Sequence, residues 1–496
     1  MLRRVLIANR GEIAVRIIRG CRELGVESVA VFSDADAAAP HVMLADRAVR
    51  IGPPAAAFSY LSIDAVLDAA RETKADGVHP GYGFLSENDT FAARCEEAGI
   101  VFIGPPAHVI ASMGSKISAR QLAQAAGVPV VPGEAPDEQT DAAIADAARR
   151  VGLPVLLKPS EGGGGIGMKA VRDDSQLLAA IQQGRREAHA AFGDGRLYVE
   201  RLVDRPRHIE VQIMADAHGH VVHLFERECS LQRRHQKVIE ETPSTAVTPA
   251  LRSRLGDAAV AIARAAGYRN AGTVEFLVEG VGDRARFYFL EMNTRLQVEH
   301  PITEQVVGVD LVHAQLAVAS GEPLPWTQEE LSQRGHAIEA RVYAEDAANG
   351  DLPQAGPLLL YREPRLPGVR VDAGVTEGGE VTVHYDPMIA KVIASGETRE
   401  VTRRRLVTAL RGFPVLGVRT NIPFLINILE HPAVAAGDLD TGFLERESAS
   451  VRPVSTPEIP PDFQAVADAV RLSGTATPGR HSDAPDPWTS LRGARV

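Results

Sequence analysis

The sequence predicts a multidomain α/β and α+β protein: a parallel-sheet N-terminal domain, a central region of paired strands and longer helices, and a C-terminal mixed α/β domain. Three observations carry this expectation. Short apolar runs alternate with helical patterns through the first hundred residues, which means a mostly parallel sheet with helices on both faces. From Ser115 to about Gly321 the pattern changes to paired strands around longer helices, with a glycine cluster at Gly162 to Gly167. A third region, roughly His336 to Glu447, opens with the alternating run Ala337 to Tyr343. At 496 residues the chain is too long for a single core.

Taken in order, the N-terminal part reads as a strand over Val5 to Ala8, a helix from Ile13 to Leu24 and a strand over Ser28 to Phe32. Then come a helix from Asp64 to Glu72, a strand at Gly77 to His79, a helix from Ser86 to Ala98 and a strand at Val101 to Ile103. The turn after the first strand is Asn9-Arg10-Gly11-Glu12, not G-x-G-x-x-G, so a dinucleotide site loses most of its support. Centrally, Val155-Leu156-Leu157 forms a strand into Lys158 and the glycine cluster, and Arg286 to Asn293 is dense enough in aromatic and aliphatic residues to be another. The third region ends in a helix near Pro423 to Leu429. After Ser448 the chain is rich in Pro, Ser, Thr and Asp, with only Phe463 to Val470 helical in pattern, and reads as a tail or linker. The expected divisions are 1–114, 115–330, 331–447 and 448–496.

Composition is that of a globular protein, 45% hydrophobic and 24% charged, and the net charge of -11 argues against nucleic-acid binding by bulk electrostatics. Nucleotide binding needs only a local basic pocket. Cys21, Cys95 and Cys229 lie far apart without zinc-ligand spacing, as expected of buried thiols in a reducing compartment. Met1 to Ala8 is basic then apolar, but Asn9-Arg10-Gly11-Glu12 ends the apolar part too early for a signal peptide. No run has the length of a membrane helix, so the expected location is the cytoplasm.

The chemistry concentrates at Glu291 to Pro301 and the acidic run Gly272 to Leu277. Period-2 geometry puts Glu291 and Asn293 on one strand face, and Glu275 from a neighbouring strand completes a hard-oxygen site suited to magnesium. Arg295, Gln297 and Glu299 set an anion fork and a base beside it, the outline of a phosphoryl-transfer site. In Glu161 to Met168 the glycines let backbone N–H groups approach phosphate oxygens, although the loop alone reads equally as a surface hairpin. Lys158 before the loop and Lys116 at a helix start tilt the balance towards phosphate. The cationic and amide-rich runs Arg207 to Gln212 and Cys229 to Lys237 could line one polyanion pocket. Met168-Lys169 has the wrong flanks for a biotin attachment site and reads as the strand leaving the glycine loop. Arg341 shares a strand face with Glu339 and Tyr343, and taken alone is an exposed partner of Glu339 or Glu345.

Together these segments resemble the biotin carboxylase family of the ATP-grasp superfamily. The matching runs are Ile7 to Ala14, His79 to Glu87, Cys229 to Lys237, Glu291 to Pro301 and Tyr385 to Lys391, in the family's order over about residues 1 to 447. The resemblance implies a Rossmann-like N-terminal domain, an ATP-grasp domain whose lid spans about 132–203, and the family's C-terminal domain. It implies that Lys116, Lys158 and Gly163, Gly164, Gly165 and Gly167 hold ATP phosphates, with His208, Gln232 and His235 on ribose and phosphates. Glu200, Arg201, Leu202 and Leu277 would meet the adenine, and Glu275, Glu291 and Asn293 would bind Mg2+ or Mn2+. Lys237, Arg295, Gln297 and Val298 would hold bicarbonate, Glu299 would deprotonate it, and Arg341 and Tyr82 would serve biotin. The implied partners are a separate biotin carboxyl carrier protein, carboxyltransferase subunits and a second copy in a homodimer, with no nucleic acid, no membrane and no biotin on this chain.

Departures from the family pattern are Ile166, where a basic residue is usual, Glu161, where a small one is, and Arg201, where lysine is common. Asp486-Pro487-Trp488 with Leu491-Arg492-Gly493 is similar to the segment that follows the carboxylase in long acyl-CoA carboxylase α chains. Two other functions fit the same residues: a catalytically impaired structural subunit, and another ATP-grasp ligase that forms an acyl-phosphate for a different acceptor. If the loop is defective, Ile166→Arg is expected to raise bicarbonate-dependent ADP release markedly; an unchanged rate means Ile166 does no harm.

Overall fold

The structure is a computed structural model that describes residues 1–160, 167–234 and 236–453. Glu161, Gly162, Gly163, Gly164, Gly165, Ile166, His235 and the segment from 454 onward lie outside the described residues.

Strands β1 (Arg4–Ile7), β2 (Glu27–Ser33), β3 (Arg47–Gly52), β4 (Gly77–His79) and β5 (Val101–Phe102) form a parallel sheet in the order β3-β2-β1-β4-β5. Alternation along β1 explains the two covered faces: Leu6 packs with Val66, Leu67 and Phe91, while Val5 and Ile7 pack with Ile13, Ile17 and Leu311. β3 escaped the sequence reading because it lies at the sheet edge, with Arg47 and Arg50 exposed. Asn9, just after β1, donates from Nδ2 to the carbonyls of Pro80 at 2.8 Å and Tyr82 at 2.7 Å. Gly81 is needed there: its φ is +63°, and a Cβ would sit 2.8 Å from the Asn9 amide.

A second, antiparallel sheet joins β6 (Gly133–Glu134), β7 (Val155–Pro159), β8 (Lys169–Val171) and β9 (Leu197–Arg201) in the order β6-β9-β7-β8. Helices Asp141–Val151 and Leu177–Phe192 close over it, and Ile144, Leu157, Leu177 and Val199 make a core of its own. Lys169 opens β8 and pairs with Glu187 at 2.9 Å.

The largest sheet carries the site. It contains β10 (Arg207–Ala215), β11 (Val221–Arg233), β12 (Gln236–Thr242), β13 (Asn270–Glu279), β14 (Arg286–Asn293) and β15 (His336–Tyr343), followed by Met388–Gly396 and Val369–Ala373. The order β14-β13-β10-β11-β12-β15 continues into those last two strands, so eight strands form one sheet. β12 and β15 are joined directly, Ile239 opposite Ala340 and Glu240 opposite Glu339. Helix Pro249–Ala266 packs Leu251, Leu255 and Ile262 against Ile209, Val211 and Phe276. Helices Arg399–Arg411 and Ile422–Glu430 cover the third region, whose core reaches Val451 in the short helix Ser448–Val451, so the packed chain extends past residue 447. All three cysteines are buried free thiols. Among the described residues no helix is long and apolar enough to cross a membrane.

Gly374 marks a tight approach of the third region to the first: a Cβ there would lie 2.5 Å from the Glu12 nitrogen and 2.6 Å from the Gly11 Cα. Backbone on both sides leaves nothing soft to yield. Gly374→Ala is expected to cost about 1–3 kcal/mol in chemical denaturation, whereas Gly114→Ala, with open space at its Cβ, should change little.

Candidate active site

Adjacent strands β13 and β14 place Glu275 directly opposite Glu291, and Thr273 opposite Asn293, on one face of the large sheet. Like charges in direct cross-strand register repel. Burial pushes the Glu291 carboxyl up, Glu275 pushes it further, and Lys116, Lys158 and His208 only partly offset this. Burial would raise Glu275 too, but Lys237 and His208 outweigh it and hold that carboxyl well below its usual range. Glu275 Oε1 accepts from Lys237 Nζ at 2.9 Å, Asn293 Nδ2 at 2.9 Å and Gln297 Nε2 at 3.1 Å. His208 Nε2 stands 2.8 Å from Glu275 Oε2. This hard-oxygen set and its unrelieved repulsion fit a divalent cation such as Mg2+.

Lys237 is the hub. Besides Glu275 its ammonium donates to Glu299 Oε1 at 2.5 Å, Gln297 Oε1 at 3.1 Å, and Glu210. Glu210, opposite Glu275 in the β10–β13 ladder, also accepts from Arg227 Nε at 2.5 Å. Arg341 reaches Glu299 Oε2 with Nη2 at 3.0 Å and Glu240 Oε1 with Nε at 2.6 Å. Burial opposes ionisation of Glu299, but Lys237, Arg341 and Arg227 prevail and hold its carboxyl far below the ordinary carboxylate range.

The loop after β14 is held from both sides. Glu87 accepts from the Thr294 N–H at 3.0 Å and from Arg295 Nε at 2.9 Å, and Arg295 Nη2 donates to Asn293 Oδ1 at 2.9 Å. Lys391 Nζ donates to the Val298 carbonyl at 2.8 Å. Three cations, Lys237, Arg295 and Arg341, thus line the cleft with the Glu299 carboxylate. Such a group can bind a small oxyanion and take a proton from it.

A cleft of about 950 Å³ runs from here to the small second sheet. Its wall includes Lys116, Lys158, Glu200, Arg201, Leu202, His208, Gln232, Leu277 and Val298. The Glu200 carboxylate is engaged by Lys158 Nζ at 3.0 Å and Arg120 Nη1 at 2.7 Å. Arg201 forks onto Glu279 at 3.1 Å.

Two expected contacts are not among the described cleft-lining residues. Tyr82 turns its hydroxyl onto buried Glu12, and Gly167 faces Pro159 and the backbone of Gly184 and Ala188. Gly163, Gly164, Gly165 and His235 lie outside the described residues. Arg341 is not an exposed partner of Glu339 or Glu345: it is buried on Glu240 and Glu299, because β15 pairs with β12, while Glu345 takes Arg233 at 2.7 Å. Sequence reasoning missed Glu210, Arg227, Glu240, Glu87 and Lys391 as parts of the site. Only Glu210 carried a local signal, since period 2 places it on the same strand face as His208.

Comparison with known proteins bears on this geometry. Residues 1–110 match the family model described as biotin carboxylase, N-terminal domain; 115–327 match the carbamoyl-phosphate synthase L chain, ATP binding domain; and 339–446 match the biotin carboxylase C-terminal domain. The chain is 51% identical over 450 residues to a biotin carboxylase of Halalkalibacterium halodurans, covering 90% of this chain and 97% of that one. It is 50% identical over 451 residues to the mitochondrial methylcrotonoyl-CoA carboxylase subunit alpha of Arabidopsis thaliana, covering 91% of this chain but 61% of the longer plant protein. Its fold superposes with a TM-score of 0.88 on the biotin carboxylase domain dimer of the Hydrogenobacter thermophilus 2-oxoglutarate carboxylase, solved with MgADP, ADP and bicarbonate. That domain is 42% identical, and the match covers 92% of this chain and 100% of the other.

The opposed Glu275 and Glu291 make a prediction about metal. A carboxyl whose proton affinity is raised by folding loses stability as pH rises from its unfolded pKa through its folded one. Glu291→Gln is therefore expected to raise the melting temperature of the metal-free protein above that pH window, and to abolish the upward shift that Mg2+ with ATP gives the unmodified protein. Scanning calorimetry with and without Mg2+ and ATP checks both; a metal-free Tm that falls would refute the repulsion.

Proposed function

The chain belongs to the biotin carboxylase family and is an ATP-dependent ligase that carboxylates biotin; from that premise we propose that it acts on biotin borne by a separate carrier protein, as the carboxylase component of an acyl-CoA carboxylase of the acetyl- or propionyl-CoA type. The observation that carries the bicarbonate chemistry is Glu299, clasped between Lys237 at 2.5 Å and Arg341 at 3.0 Å.

In this reading Lys237, Arg295, Gln297 and Val298 hold bicarbonate, and Glu299 removes its proton. A strongly ionised carboxylate is a weak base, yet the arrangement corrects itself. Bicarbonate brings a competing negative charge to Lys237 and Arg341, and as their attraction is shared Glu299 gains proton affinity at the moment it needs it. The deprotonated oxygen attacks the γ-phosphorus, the bond to ADP breaks, and carboxyphosphate forms. Lys116 and Lys158 offset charge on the phosphates, and His208 and Gln232 orient them. Glu275, Glu291 and Asn293 would hold Mg2+, or Mn2+ in its place, which when bound supplies further neutralisation of phosphate charge.

Carboxyphosphate then releases CO₂ beside biotin. The phosphate left behind accepts the ureido N–H proton, Arg341 stabilises the enolate oxygen, and the ureido nitrogen attacks CO₂. Exclusion of water falls to the glycine loop and the sheet of β6–β9, read as the lid over about 132–203, because hydrolysis would waste the intermediate. The reading assigns 1–114, 115–330 and 331–447 to the three family domains, makes the chain a homodimer in the cytoplasm, and adds a biotin carboxyl carrier protein and carboxyltransferase subunits as partners. In its support, the Hydrogenobacter domain was solved as a dimer, and the plant relative is a subunit alpha.

ADP production that requires both bicarbonate and biotin tests the assignment, and a folded protein without such turnover would defeat it. Glu299→Gln is expected to lower that turnover by roughly 10²–10⁴-fold, while a thermal-shift assay still detects Mg2+ and ATP binding. Retention of more than a tenth of the rate would remove Glu299 from the role of base.

A further inference from the structure

Behind Arg341, two buried glutamates stand opposite each other on adjacent strands with too little to hold them. Glu240 on β12 and Glu339 on β15 are direct cross-strand partners, and both are 0% exposed. Glu240 Oε1 accepts from Arg341, but among the described residues its Oε2 has no hydrogen-bond partner, and neither oxygen of Glu339 has one. The other charges facing the pair do not close the gap. Lys391, opposite Arg341 on Met388–Gly396, gives its ammonium to the Val298 carbonyl and to Glu12 at 3.1 Å. Lys237 is held by Glu210, Glu275 and Glu299, and Glu299 adds negative charge.

Two ionised carboxylates in register, with three unbonded oxygens and one shared cation, would be severely destabilising in a dry interior. A carboxylic acid beside a carboxylate removes one charge and supplies the missing donor. We propose that Glu339 and Glu240 hold one proton between them, Glu339 being the acid and Glu240 the only anion behind Arg341, as a pair that positions Arg341. The asymmetry follows from bonding: Arg341 stabilises the charged form of Glu240, and nothing is hydrogen-bonded to Glu339. Burial pushes Glu240 up to about 7 against the pull of Arg341, and lifts Glu339 well above the usual carboxylate range despite Lys391.

The consequence concerns where Arg341 points. One negative charge behind it balances the one on Glu299 in front, leaving the guanidinium free to turn to a biotin oxygen. A second charge behind would draw it back into the sheet. Because folding raises the proton affinity of the pair, the proton is kept at neutral pH and lost as pH rises, so biotin carboxylation declines on the alkaline side. The functional part rests on the reading of Arg341 as the biotin-facing cation; the shared proton does not.

The test uses the full chain. The infrared spectrum at neutral pH should contain a protonated-carboxyl C=O stretch that is missing from Glu339→Gln. That variant, an isostere of the acid, should keep most of its biotin-dependent turnover and lose the alkaline decline, whereas Glu240→Gln should fall roughly 10²-fold as Arg341 loses its anchor. Glu339→Met, which removes the donor to Glu240, should melt below both the unmodified protein and Glu339→Gln, whose amide still donates. The proposal is overturned if no protonated-carboxyl band depends on residue 339, or if Glu339→Met melts no lower than the unmodified protein. Loss of the band in a chain inactive on biotin would confirm the proton and sink only the biotin reading.

Discussion

The Lys237 ammonium donates at once to Glu210, Glu275, Gln297 and Glu299, and the architecture around it can be understood as what is required to bring those groups within reach. Taking one cation and three carboxylates out of water is expensive, and their mutual attraction repays it only if every remaining lone pair is used. The sheet supplies the users. Arg227 takes the second oxygen of Glu210, His208 faces the second oxygen of Glu275, and Arg341 takes the second oxygen of Glu299. His208 and Arg341 sit on strands whose other faces pack Ile209 and Val211, and Ile338, Ala340 and Val342, into the core, so there the core and the charge network specify the same alignment. A slip of one residue in β10 would turn His208 and Glu210 into the core and expose Ile209 and Val211 to the charges.

This also explains why the third region is part of the active site and not an appendage. Arg341 can reach Glu299 only because β15 pairs with β12, which continues the sheet that carries Glu210 and Glu275. Lys391, one strand further, fixes the Val298 carbonyl and is itself held by Glu12 at the start of the first helix of the N-terminal domain. Three regions that sequence patterning separates are therefore tied through buried ion pairs at the cleft. Such ties are strong when intact and costly when one partner is lost, which suits a site that must assemble with sub-ångström accuracy.

The parts legible in the sequence were those with a local period. Alternation in 286–293 put Glu291 and Asn293 on one face, and strand and helix alternation in the first hundred residues revealed the parallel sheet. What stayed hidden depends on contacts between distant segments. Nothing near Arg341 announces that Glu240, a hundred residues earlier, lies beside it, so an exposed pairing with Glu339 or Glu345 was the natural expectation and a wrong one. Glu87 and Lys391 sat inside family-like runs, but their purpose, clamping the loop of Thr294 to Val298, is visible only in three dimensions. The edge strand β3 was missed because edge strands are half solvent-exposed, which erases the apolar density that marks a strand.

The cleft sits in a chain of net charge -11, and four of its cations are already paired. Lys237, Arg295, Arg341 and Lys158 are all engaged by carboxylates. In the proposed reaction substrates enter by exchange: an incoming oxyanion competes for each cation with the carboxylate already on it. Exchange gives up ground-state affinity, since the resident pair is lost as the new one forms. It favours the transition state, because the displaced carboxylate is then the nearest group with rising proton affinity, and charge that builds up on the reacting oxygens draws the cations further across. In the proposed reaction, self-neutralisation of the site is thus the same property that would make Glu299 a base only when bicarbonate is present.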